Sequence, residues 1–251
     1  MSLCRRDVRF FLFYFIILSK MEKVKAYQIS GGWYKALMTM LVVVLVIQFI
    51  NIIGSGCVNI YVDYCIQSPD HTLTDFLQVQ SVSSFISTFV FTIVYSLLSV
   101  VYAKFALVSQ QYSTSISVRF WLLMVLTVLG LLLTLCYPLT ILYANAGKEV
   151  PLRVYDVLHT VGVTLFYITN LMILTIGIGQ VVIGTSRLRL GGILVCAGAV
   201  CALIFYVWLS VAVGVLLPSD LRWIGFVLYM LGTLLAYTLI YVGWMRSIVK
   251  S

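Results

Sequence analysis

Charge is what this chain most lacks. Only 10% of its residues are Asp, Glu, Lys or Arg, against roughly 25% in a typical soluble domain. Six long windows hold none: Ala36–Val62 (A), Phe76–Ala103 (B), Phe120–Gly147 (C), Val157–Ser186 (D), Leu190–Ser219 (E) and Trp223–Met245 (F). Each exceeds the ~20 apolar residues that a helix needs to cross the hydrocarbon core. A soluble core of ordinary composition is excluded. The bilayer offers the backbone no hydrogen-bond partners, and windows this long suit helices, not the short alternating strands of a barrel. The sequence predicts an all-α fold, a polytopic transmembrane helical bundle of six spans.

The same absence limits function. An ionisable residue inside a span marks a proton relay, a voltage sensor or an ion pathway. None lies inside A–F, which argues against a carrier with a buried carboxylate, a voltage sensor or a retinal Schiff base. Histidine is scarce too. His71 falls in a loop, and His159 lies near one end of D beside Asp156. They cannot hold a haem between two helices. His159 and Asp156, at spacing i, i+3, read first as a polar cap at the interface. No Ser/His/Asp set, phosphate loop or paired acids occur together. The expectation is no enzyme, no cofactor and no metal. The loop Asp63–Asp75 holds three carboxylates, His71 and Cys65 but no metal-ligand spacing.

The charges that are present alternate in sign from loop to loop. Lys20, Lys23, Lys25 and Lys35 precede A; Lys104 and Arg119 separate B from C; Arg187 and Arg189 separate D from E; Arg246 and Lys250 follow F. The other three loops hold Asp63, Asp70, Asp75, Glu149, Asp156 and Asp220, six of the eight acids. Lys and Arg next to spans stay cytoplasmic. A cell-membrane protein with both termini in the cytoplasm follows. The expected partners are the lipid bilayer and anionic lipid headgroups on the cytoplasmic side. No basic stripe with interleaved aromatics points to nucleic acid. Trp33, Trp121 and Trp244 sit at the cytoplasmic borders and Trp223 at the outer one, the depth that amphipathic rings prefer.

Residues 1–20 stand apart from the six-span domain 21–251. Phe10–Leu18 follows Arg5, Arg6 and Arg9 and is too short to span. Two readings stand: an in-plane interfacial segment, or a start-site artefact in which the chain begins at Met21. The second is preferred.

Three patterns recur between the halves, about 33–147 and 153–251. Ile53-Gly54-Ser55-Gly56 in A resembles Ile176-Gly177-Ile178-Gly179 in D. Tyr95-x-x-Leu98-Ser99-Val100 in B resembles Tyr206-x-x-Leu209-Ser210-Val211 in E. Trp121 and Leu129-Gly130 in C resemble Trp223 and Leu231-Gly232 in F. Three spans per half would make a 3+3 duplication inverted, the layout of many transporters. Chance matching between apolar segments is the competing explanation.

Buried amides are the best candidates for a site. Gln48 and Asn51 fall near the middle of A and Asn170 near the middle of D. An amide in hydrocarbon is costly unless paired, so these face other helices or water. With Gly54, Gly56, Gly177 and Gly179 they form the expected solute pathway. Cys57 and Cys65 form a candidate disulfide, Pro138 should kink or end span C, and Gly198-x-x-x-Ala202 suits close packing or a homo-oligomer. Two functions are carried forward. One is passage of a small neutral solute between two inverted halves. The other is a non-catalytic membrane subunit or scaffold.

Overall fold

The computed structural model describes residues 23–67, 73–145 and 152–251. Six helices carry the fold: α1 (Gly31–Gln67), α2 (Leu73–Ser109), α3 (Thr114–Asn145), α4 (Leu152–Ile183), α5 (Ser186–Trp208) and α6 (Arg222–Ser247). All six are long and apolar enough to cross a membrane. A π-helical stretch, Leu209–Leu216, continues α5, and a 3₁₀ turn, Ser219–Leu221, leads into α6. α3 does not end at Pro138 but runs on to Asn145. Residues 1–20 lie outside the described residues, as do 68–72 of the loop 63–75, whose flanks belong to α1 and α2; so do the side chains of 65–75, Asp156 and His159.

Each helix packs on its neighbours in sequence, and α6 closes on α1. Short connections make successive helices antiparallel. The tightest, between α4 and α5, is Gly184-Thr185. A Cβ on Gly184 would lie 2.3 Å from the Gln180 carbonyl oxygen, and Ser186 follows at a left-handed φ of 50°. The result is a closed ring of six helices in sequence order.

That order is incompatible with the inverted repeat. A two-fold axis in the membrane plane turns the ring over and reverses the sense in which helices follow one another. Carrying α1, α2 and α3 onto α4, α5 and α6 preserves that sense, yet α1 and α4 run in opposite directions. No proper rotation satisfies both conditions. The matched glycines also differ in surroundings. A Cβ on Gly54 would meet nothing within 4 Å, while one on its counterpart Gly177 would lie 2.7 Å from Cys196 Sγ.

The ends of the ring differ in charge. At one, where α1 begins and α6 finishes, lie Lys23, Lys25, Lys35, Lys104, Arg119, Arg187, Arg189, Arg246 and Lys250; at the other lie Asp63, Asp220 and Arg222. At the acidic end Arg222 pairs with Asp63 at 3.6 Å, tying α6 to α1. At the basic end Arg119 donates to the Thr175 carbonyl at 2.6 Å, tying α3 to α4.

The basic end is capped by an element with no signal in the hydropathy. Residues 24–30 form a strap. Its strand β1 (Tyr27–Ile29) pairs in parallel with β2 (Ile248–Lys250), in register Tyr27 with Ile248. Val24 N–H donates to the Ile183 carbonyl at 3.0 Å, and Leu188 N–H to the Lys25 carbonyl at 2.9 Å. Strand alternation turns Tyr27 and Ile29 inward, both fully or nearly fully buried, and Gln28 outward.

Candidate functional site

Polar side chains on α1 recur at Gln48, Asn51, Ser55 and Asn59. Steps of three and four residues place them on one helical face. Gln48 is buried and accepts a hydrogen bond at its Oε1 from the Tyr241 hydroxyl of α6, at 2.8 Å. Ser55 bonds back to the carbonyl of Asn51. Asn170 on α4 is buried and donates through Nδ2 to the Phe166 carbonyl at 2.9 Å. Thr127 on α3 bonds to the Leu123 carbonyl at 2.8 Å. These local bonds leave further lone pairs and protons for another partner.

The ring closes around a cavity of about 290 Å³, with Gln48, Tyr95, Thr127, Asn170, Tyr206 and Tyr237 in its wall, one from each helix. Ligand pockets run from roughly 300 Å³ upward, and are mostly apolar with a few placed polar groups. This cavity sits at the low end of that range. No Asp, Glu, Lys or Arg lines it. A second cavity of about 140 Å³ lies toward the acidic end, lined by Asn51, Ser55, Asn59, Tyr229 and Thr233. Gln48 and Tyr237 are shared by both walls, so the α1 stripe leads from the acidic end to the centre. A third space, an apolar groove of about 520 Å³ between α1 and α2, also reaches Asn51 and Ser55.

Aromatic rings floor the central cavity toward the basic end. Tyr241 and Trp244 lie 5.7 Å apart, Trp244 and Tyr102 5.2 Å, and Phe105 stacks on Phe120 at 5.2 Å. Below them Tyr27 of the strap meets Phe105 edge-on at 6.2 Å. The Tyr27 hydroxyl, both polar atoms of Gln180 and Trp244 Nε1 are buried without a hydrogen-bond partner. Burial raises the Tyr27 phenol well above its ordinary pKa.

Of the expected pathway residues, Gln48 and Asn170 line the central cavity, while Asn51 and Gly56 line the second. Gly54 faces the α1–α2 groove. Gly177 and Gly179 do not join them. Gly177 packs on α5, and a Cβ on Gly179 would lie 3.0 Å from Ile116. The disulfide does not form: Cys57 is a free, exposed thiol. Its helix runs unbroken to Gln67, so positions 57 and 65 lie about 12 Å apart along the axis, beyond disulfide reach. Trp244 is no interfacial ring either, being fully buried in the floor. Among the described residues no group of three metal-ligating side chains occurs.

Sequence reasoning passed over the tyrosines. Tyr237 and Tyr241 are one turn apart on α6, and Tyr95 and Tyr102 two turns apart on α2, the spacing of a single face.

The fold and the cavity define a multi-pass membrane protein with an uncharged, mostly apolar chamber, bearing a few polar side chains, inside a six-helix ring. No protein-family model, curated protein or solved structure matches the chain.

Proposed function

We propose that the chain lies in the cell membrane with its basic end in the cytoplasm, binds a small neutral solute in the central cavity and passes it across the bilayer unchanged. One observation carries this reading: all six helices contribute hydrogen-bonding side chains to one cavity that holds no formal charge. A charged solute would be stranded there without a counter-ion, whereas hydroxyl and amide groups would find donors and acceptors. The α1 stripe supplies the approach from the acidic end, and the apolar α1–α2 groove beside it favours a solute with an apolar part. Passage requires the aromatic floor to part.

Reconstituted liposomes should take up small neutral polyols or amides, and Gln48→Leu or Asn170→Leu should slow uptake about tenfold, the loss of one buried hydrogen bond. Trp244 lies in the cavity wall, so its fluorescence reports occupancy separately from flux. Protein that neither transports nor shows a fluorescence change with any of these solutes would overturn the reading. The closed floor favours a second one, a non-catalytic membrane subunit whose polar residues only join helices. Occupancy without flux would not be enough for it; it requires an empty cavity.

A further inference from the structure

We infer that a groove on the outside of the ring, at its basic end, binds one anionic phospholipid. The groove encloses about 320 Å³ and is lined by Tyr34 and Met38 of α1, Val242, Met245 and Arg246 of α6, Arg187 of the first turn of α5, and Ile248 of β2. Its deepest residues are apolar and its arginines lie near the rim. α1 runs inward from the basic end, so Met38 lies one turn deeper than Tyr34. α6 runs outward, so Val242 lies one turn deeper than Arg246. Two guanidiniums, a phenol and Ile248 form the rim, and Met38, Val242 and Met245 lie beneath or beside them. That is the profile of a headgroup over its acyl chains.

Charge selects the occupant. Arg187 and Arg246 are both exposed. The only ion pair among the described residues is Asp63–Arg222, at the opposite end, and no described acid lies at the basic end. The two guanidiniums thus share one groove with no described carboxylate side chain at that end. A phosphodiester between them would accept charge-assisted bonds from both planar forks. A zwitterionic lipid carries its own ammonium and offsets less of that charge. A free phosphate satisfies the rim but leaves Met38 and Val242 bare. The groove does not touch the central cavity, so this inference stands whether or not the cavity carries solute.

Native mass spectrometry of the full chain, released from nanodiscs of equal phosphatidylglycerol and phosphatidylcholine, tests it. One phosphatidylglycerol should remain bound per chain. The double variant Arg187→Gln/Arg246→Gln should retain at least about a hundredfold less, the loss of two charge-assisted bonds. Lys23→Gln/Lys25→Gln, which alters the basic strap instead, should retain it fully. Val242→Trp fills the deeper part with both arginines intact, and should also expel the lipid; it decides the matter if the arginine variant fails to fold. Equal retention of both lipids, displacement by millimolar inorganic phosphate, or retention in Val242→Trp would each overturn the inference.

Discussion

The Tyr241 hydroxyl donates to Gln48 Oε1 at 2.8 Å across 193 positions of sequence, joining α6 to α1 in the cavity wall. It is a pairing of two neutral side chains, both buried. Gln48→Leu or Tyr241→Phe alone should cost about 1–3 kcal/mol, because each leaves the other group buried and unpaired. The double variant should cost less than the two singles together, with a coupling of about 0.6 and at most ~1.7 kcal/mol for a bond inside a membrane. Unfolding in mixed micelles measures the cycle, and strict additivity would show that the bond is absent.

The α5–α6 contact should be the least tolerant of added volume. A Cβ on Gly191 would lie 2.5 Å from the Gly243 carbonyl oxygen, and one on Gly198 would lie 2.6 Å from that of Ala236. Backbone cannot swing aside as a side-chain tip can. Gly191→Ala and Gly198→Ala should each destabilise by about 1–3 kcal/mol through overpacking. Gly54→Ala has no such obstruction and should be neutral, or stabilising by up to about 1 kcal/mol from reduced backbone freedom. Thermal unfolding of the three variants checks the order.

Tyr27 should matter for its ring and not for its hydroxyl. The hydroxyl has no hydrogen-bond partner, while the ring packs against Phe105 and Tyr112. Tyr27→Phe should change stability by less than about 1 kcal/mol, and Tyr27→Ala should lose about 3–5 kcal/mol to a core cavity. Limited proteolysis at Lys23 and Lys25 reports release of the strap.

The raised pKa of that phenol has a sign that can be tested. The folded state holds the proton more tightly than the unfolded state does. The contribution to stability is therefore full below the unfolded value of about 10, and is lost as pH rises beyond it. Denaturation midpoints should be flat in this respect between pH 7 and 9 and fall above about pH 10. In Tyr27→Phe that fall should be smaller.

The spans and the two oppositely charged ends were legible because hydropathy and charge are read along one dimension. Rotation about a helix axis was not. Trp244 has the depth of an interfacial tryptophan, but its side of α6 faces Tyr102 and Phe105. Gln48, Asn51 and Asn170 were legible because amides are rare and costly in hydrocarbon. Ser55 and Asn59 required the spacing along α1 to be followed further. The tyrosines were hidden because a phenol packs like any aromatic ring, and only the ring of helices shows where its hydroxyl arrives. The apparent repeat failed for a related reason: Gly54 and Gly177 match as letters while one opens on a groove and the other packs against α5. Nothing marked the strap, since three-residue strands carry no periodicity.

The β1–β2 pairing also orders events during synthesis. β1 precedes the first span, and its partner follows the sixth. From the moment α1 enters the bilayer, Tyr27–Ile29 has an unpaired edge, and it keeps that edge while five more helices are inserted. Only when Ile248–Lys250 has left the ribosome can the edge be filled. The cap on the basic end is thus a completion mark. A nascent chain that stops before Ile248–Lys250, or that carries them to the opposite face, leaves the strap unpaired.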